Sequence, residues 1–425
     1  MENDRFSDHD TAIEILSRLP VESIADLKCT SKRWLEIFSD PSFINAHFQR
    51  SAKAVSGLFV QGIIYCTGCL NYVDFPIVDY ISMEKEEGCH KFCQTTLDFL
   101  PEKVSIIASC NGILLCRSFF EMIYEDHCHW RGDTKDVPME IVLYVCNPFT
   151  KEWTTFKPKG KYEKRCCFGF AYDPYGSTLV NPAKTYATFQ VVMVQPPSKL
   201  GKYPYLFRVY SSQTGTWRLS KEVCYLPNVI HPHQGCFVEG VYFWMTTGHS
   251  ILTFDFKQEK SQVIPLPGHE LIHGGEEGMC LGVSEGDVHY VCLNKYDLMV
   301  WTLKHDISGC KWVLKHSKPA REIRHHSYNS MHMPDPLCKT DESIKTNNSI
   351  IHPYAFRDDI LFMKAAYTMC TYNIKTGLIE EDLCSSLELG NRSFPPIVIP
   401  YSKSLLGVQA KDKEDRPLKK RRAYE

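Results

Sequence analysis

From Gly57 onward one short pattern keeps returning, and it limits the architectures open to the chain. A strand-like run is followed by a polar turn, and then by a Trp or aliphatic residue that opens the next run. It reads YVCNPFTKEWTTF, RVYSSQTGTWRLS, TFDFKQEKSQVIPL, WTLKHDISGCKWVLKH and TYNIKTGLIEEDL, with Trp153, Trp217, Val263, Trp312 and Ile379 as landmarks. The landmarks recur at uneven intervals. Irregular periods near 50 suit a four-stranded sheet repeated with loops of varying length. One small twisted sheet cannot bury both faces, whereas stacking such sheets around an axis does.

The runs between turns are short, β-branched and aromatic: IVLYVC, FQVVMV, YLFRVY, GVYFWM, ILTFDF and LMVWTL. SCNGILLC, GCFVEGVYFW and LGVSEGDVHYVC place a glycine between apolar alternations, which signals hairpins. The expectation is an all-β domain over 57–408, a kelch-like propeller of about six blades. A β-sandwich array is the structural alternative.

Residues 1–50 have helical rather than strand periodicity. Ala12, Ile15, Leu16 and Leu19 form one stripe, with Asp8 or Asp10 as N-cap and Pro20 ending it. Ile24 and Leu27 make a short second stripe. Thr30 or Ser31 can cap a third helix carrying Trp34, Leu35, Ile37 and Phe38, and Asp40-Pro41 starts a fourth with Phe43, Ile44, His47 and Phe48. So small a unit has little core of its own. It reads equally as a docking module or as a cap on the domain that follows.

Residues Glu14 to Phe48 resemble the F-box of the large plant family of F-box proteins, through ILSRLP (Ile15–Pro20), CTSKRW (Cys29–Trp34) and SDPSF (Ser39–Phe43). SCNGILLC, YVCNPFTKEW, FGFAYDP and FRVYSSQTGTWR are similar to the F-box-associated interaction domain of the same family, over most of residues 105–316. The resemblance implies an F-box in 1–56 (core 10–50), a substrate-recruiting propeller in 57–408 and a polar, basic tail in 409–425. It implies docking on a Skp-type adaptor, and through it a cullin, with Leu19, Pro20, Ile24, Leu27 and Trp34 facing or buttressing the adaptor. One departure stands out: Ser7-Asp8 occupies the place of the usual opening Leu-Pro pair.

A formal net charge of -2 offers no whole-molecule attraction to nucleic acid or to anionic membrane. The longest apolar stretch, Val104 to Phe120, is broken by Asn111, Gly112 and Arg117, short of the roughly 20 residues a membrane helix needs. The acidic, polar N-terminal stretch does not read as a secretory signal. Nineteen cysteines scattered through apolar runs then read as reduced, buried small side chains of an intracellular protein.

Cys66-x-x-Cys69 with Cys89, His90 and Cys93 is the nearest approach to a zinc site, although IIYCTGCLNYV equally reads as strand, turn and strand. His127-Cys128-His129 falls in a polar loop, and His325, His326 and His332 in a Pro-, Asn- and Ser-rich stretch. No nucleophile elbow, phosphate-cradling loop or kinase signature is present, so no catalytic residue and no cofactor is expected. Lys419 to Arg422 is a short basic cluster that reads as a nuclear-import signal or a solvated end. The expected role is a non-catalytic substrate receptor of a ubiquitin ligase in nucleus or cytoplasm. The alternative is an F-box-derived scaffold outside ubiquitination. Target, pathway and oligomeric state are not readable.

Overall fold

A computed structural model describes residues 11, 13–51, 55–66, 71–86, 89–93, 97–118, 141–159, 166–174, 187–197, 201–268, 278–294, 296–306, 309–323, 351–365, 368–385 and 396–408. Residues 13–16 are helical and lead into α1 (Val21–Lys28), α2 (Lys32–Ser39) and α3 (Pro41–Ser51). The caps follow from the residue types. The Trp34 amide donates to Ser31 Oγ at 3.2 Å, and the Ser42 amide to Asp40 Oδ1 at 2.8 Å. Proline opens α3, where its missing N–H costs nothing. Val21, Ile24, Phe38 and Phe43 form the small core, with Phe38 and Phe43 edge-on at 4.9 Å.

That core is not closed by the helices alone. Leu405 is one of its buried members and Phe149 packs against it, both from the β-domain. Lys403 pairs with Glu22 across the same junction. His47, buried under α3, bonds through Nε2 to the Leu19 carbonyl at 3.0 Å; burial holds its pKa below the usual histidine value.

The β-domain begins with β1 (Gly57–Cys66), β2 (Asn71–Glu86) and β3 (Cys89–Cys93). A second sheet is β4 (Val104–Cys110), β5 (Ile113–Ser118), β6 (Leu143–Asn147) and β7 (Glu152–Phe156). A third is β8 (Cys167–Asp173), β9 (Thr188–Gln195), β10 (Tyr205–Ser211) and β11 (Thr216–Cys224). A fourth is β12 (Ile230–Val238), β13 (Val241–Thr246), β14 (Ser250–Asp255) and β15 (Lys260–Pro265). Next come β16 (Met279–Ser284), β17 (Asp287–Leu293), β18 (Asp297–Asp306) and β19 (Gly309–Pro319), then β20 (Ile351–Arg357), β21 (Ile360–Ala365), β22 (Thr368–Asn373) and β23 (Ile379–Ser385). Finally β24 (Ile397–Tyr401) returns to β1, Gly57 opposite Tyr401 and Gln61 opposite Ile397. This pairing completes the first sheet with strands from the two ends of the domain. The strands β4, β8, β12, β16, β20 and β24 lie innermost and pack on their neighbours around a channel.

The expectation of about six blades is corrected by the hydrogen bonding. Four sheets are separate four-stranded blades, while β16–β23 form one continuous eight-stranded sheet. The physical reason is a parallel bridge of β16 to β20, Gly282 opposite Phe356 and Val283 opposite Arg357. Glycine permits it: a Cβ on Gly282 would lie 1.9 Å from the Phe356 carbonyl oxygen. Side chains clamp the same seam. Lys315 Nζ and Lys375 Nζ each lie 2.7 Å from a different carboxylate oxygen of Asp359, and Lys375 also reaches Glu285 at 2.8 Å.

The recurring landmarks Trp153, Trp217, Val263, Trp312 and Ile379 all fall on the outermost strand of their four-strand unit. Two of the tryptophans tie neighbours together: Trp217 Nε1–H donates to the Lys157 carbonyl at 2.8 Å and Trp312 Nε1–H to that of Pro265 at 2.9 Å. The hairpin glycines act as read from sequence. Asn111-Gly112, Glu239-Gly240 and Glu285-Gly286 have positive φ at both positions, as two-residue turns of the right twist require.

Candidate interaction surfaces

Because successive strands alternate in direction, the connections sort onto two faces of the ring. One face takes the turns after each innermost strand (111–112, 239–240, 285–286, 358–359) and those joining third to fourth strands (148–151, 212–215, 256–259, 374–378). All of these are tight. The long connections, 119–142 between β5 and β6, 320–350 between β19 and β20 and 266–278 between β15 and β16, join strand ends on the opposite face. The connection 174–187 between β8 and β9 departs from this division.

The helical module sits on the tight-turn face. Phe149 belongs to the 148–151 turn, and residues 402–408 run across that face to reach the module. Asn147, wholly buried, fixes the arrangement. Its Nδ2 donates to the carbonyls of Ser404 at 2.9 Å and Leu406 at 2.8 Å, while its Oδ1 accepts from the amides of Phe149 at 2.9 Å and Thr150 at 3.3 Å. Tyr172 Oη–H donates to the Gly407 carbonyl at 2.7 Å, and the Val408 amide to Glu152 Oε2 at 3.0 Å. The missing side chain of Gly112 leaves room for Ser402 and Ser404. The faces of the module turned from the ring keep large apolar side chains in water: Ile15 is 62% exposed and Leu35 49%.

The loop face carries exposed aromatic groups on short connections as well. Tyr203 lies between β9 and β10, Tyr225 and Val229 between β11 and β12, and Tyr296 between β17 and β18. Tyr225 and Tyr296 are 66% and 69% exposed. Lys202 lies over the Tyr203 ring, 5.6 Å from its centroid. Exposed Tyr side chains of this kind are the usual anchors of protein interfaces.

Two matches to known families bear on these surfaces. Residues 9–45 match the F-box domain, and residues 90–336 match the family described as F-box protein At3g26010-like, beta-propeller. The chain belongs to this F-box β-propeller family. Among its relatives is the F-box/LRR-repeat/kelch-repeat protein At2g27520 of Arabidopsis thaliana, 26% identical over 262 residues, 61% of this chain and 60% of that protein. The F-box protein At5g49610 of the same plant is 26% identical over 300 residues, 68% of this chain and 73% of that protein. The match thus spans less than two thirds of the first relative's length. Apo AztD from Citrobacter koseri aligns over 81% of this chain and 98% of its own at 9% identity, with a TM-score of 0.36.

Within the F-box the five residues singled out from sequence do not share one environment. Pro20 is exposed, Leu19, Leu27 and Trp34 are half-buried against the core, and Ile24 is fully buried within it. Ile24 therefore belongs to the helical core and is closed to any contact from outside. Ile15 and Leu35, read from sequence only as members of apolar stripes, face solvent instead. Periodicity could not separate them from the core, because in a module this small every helix carries apolar residues on more than one side.

The zinc candidates divide. Cys69 lies outside the described residues. Cys66 pairs opposite Asn71 and Cys93 opposite Tyr80, nine positions apart along β2. At about 3.3 Å per residue that separates the two backbone sites by roughly 25–30 Å. Among the described residues no group of three His, Cys, Asp or Glu is placed to hold a metal. His127, Cys128, His129, His325, His326, His332 and the Lys419–Arg422 cluster also lie outside the described residues.

Proposed function

We propose that this chain is the substrate-recognition subunit of a Skp–cullin–F-box ubiquitin ligase. The observation that carries the reading is the opposition of two surfaces on one ring. The F-box rests its back on the tight-turn face and leaves Ile15, Pro20 and Leu35 in water, with Leu19, Leu27 and Trp34 beside them. The other face offers the ends of the long connections and the exposed tyrosines. The first surface would hold the adaptor and the second the target. The chain then contributes proximity and orientation, and a separate conjugating enzyme makes the bond, so the receptor itself needs no catalytic residue.

We further take the ring as kelch-like, as the name of the relative At2g27520 suggests. The Lys419–Arg422 cluster would serve nuclear import. A scaffold outside ubiquitination is the second reading, favoured by Ser7-Asp8 at the place of the family's Leu-Pro.

Co-purification of the full chain with a Skp-type adaptor tests the proposal. Leu35→Asp and Ile15→Asp should each weaken capture at least tenfold, since burying one aliphatic side chain is worth about 1.5–3 kcal/mol. Tyr225→Ala, on the far face, should bind as wild type does. No capture of the wild type, or equal capture of all forms, refutes the ligase role.

A further inference from the structure

The innermost strands leave a cavity of about 300 Å³ on the ring axis, walled by β4, β12, β16, β20 and β24. That volume is at the lower end of small-molecule sites. Its wall is electrostatically one-sided. Among the described residues it contains one guanidinium, Arg357, two imidazoles, His231 and His233, and the amides of Asn111 and Gln234, but no Asp or Glu. Arg357 Nε lies 3.5 Å from the Asp358 carboxylate, and the Arg357 side chain stays 35% exposed despite its axial position. That leaves the two-nitrogen fork of the guanidinium available, the geometry that carboxylates and phosphates fit.

The other groups in the wall do not cancel this charge. Burial pushes the thiols of Cys110 and Cys236 each up to about 12, against a smaller downward pull from Arg357, so both are neutral at physiological pH. Gln234 Oε1 is buried with no hydrogen-bond partner among the described residues. An amide can turn either its oxygen or its N–H₂ group toward a ligand. The rest of the wall is apolar, with Leu281, Phe356 and Ile399 prominent.

We propose that the axial channel is a binding site for a small organic anion, its carboxylate or phosphate held by Arg357 and its apolar body lying against Leu281, Phe356 and Ile399. Cations are disfavoured by the absence of any carboxylate among the described wall residues, and neutral molecules offer the guanidinium's terminal nitrogens no second anionic partner beside Asp358. On the proposed function the site would be separate from the adaptor surface, the side of the F-box that carries Ile15 and Leu35.

The test uses the full chain with benzoate, phenyl phosphate, benzyl alcohol and benzylamine, read by thermal shift and by saturation-transfer NMR. At least one anion should raise Tm by about 2–4 °C at a hundredfold excess over its Kd. The two anions distinguish carboxylate from phosphate. Benzyl alcohol and benzylamine should give no shift. Arg357→Gln should abolish the anion effect. Gln234→Glu, close in shape to the native residue, should weaken anion binding at least tenfold and guards against an unfolded Arg357 variant. The site is refuted if neither anion shifts the wild type, if the neutral or cationic compound shifts it equally, or if either variant binds the anions undiminished.

Discussion

Asp359→Asn removes one negative charge from the seam inside the eight-stranded sheet, and its cost can be worked from the surroundings. The carboxylate is 5% exposed and lies 2.7 Å from both Lys315 Nζ and Lys375 Nζ. Burial opposes its ionisation, but the bonds from Lys315 and Lys375 outweigh that and hold its pKa at about 2, down from 3.8. Such a depression amounts to about 2.5 kcal/mol of stability once the group is ionised in both states. A lowered carboxylate pKa contributes stability that is complete above the unfolded value and is lost as pH falls through the folded one. At pH 7 the variant should therefore be about 2–3 kcal/mol less stable, which for a ring this large lowers Tm by roughly 3 °C. At pH 3, between the two pKa values, about half of that difference should remain. Urea titrations at pH 7, 5 and 3 read it directly. A difference that is absent at pH 7, or as large at pH 3 as at pH 7, would refute the assignment of the stability to this charge.

Four other outcomes follow from the packing. Gly282→Ala should cost about 3 kcal/mol or more, because its Cβ would collide with the Phe356 carbonyl; the chemical-denaturation midpoint reads it. Asn147→Ala strips four hydrogen bonds, two of them fully buried, and should cost about 2–4 kcal/mol, with amide exchange accelerating first in residues 402–408. Ile24→Ala, in the F-box core, should lose about 2–4 kcal/mol, whereas Leu35→Ala should stay within about 0.5 kcal/mol in the same thermal assay. Trp217→Phe gives up the bond to the Lys157 carbonyl and should cost about 1 kcal/mol, visible as a small drop in urea midpoint.

What could be read in advance was what neighbouring residues settle among themselves. Asn111-Gly112 and Glu285-Gly286 announce hairpins, because the required positive φ is a local demand. Trp153, Trp217 and Trp312 announced the start of a strand because each follows a turn whose polar residues are fixed by its own backbone. Ser31 and Asp40 announced helix starts for the same reason. The closing strand IVIPY carried no such signal. It is short, contains Pro400, and gains its identity only from β1, at the other end of the domain. Nothing near Gly282 suggested that two inner strands would meet there, since that depends on what faces it across the ring. The helical module was half legible. Periodicity gave the apolar stripes of the F-box, but which stripe turns inward is decided by Leu405 and Phe149, contributed by the other domain.

The contribution of Leu405 to the F-box core ties the two modules together in time as well as in space. During synthesis the helical module leaves the ribosome long before residues 397–408, which finish both the first blade and the helical core. A nascent or prematurely terminated chain thus carries an F-box that lacks a wall, and a ring that lacks its clasp. On the proposed reading, competence for the adaptor is reached only when the propeller is whole. On that reading, an incomplete chain would be withheld from the machinery it would otherwise occupy without a target.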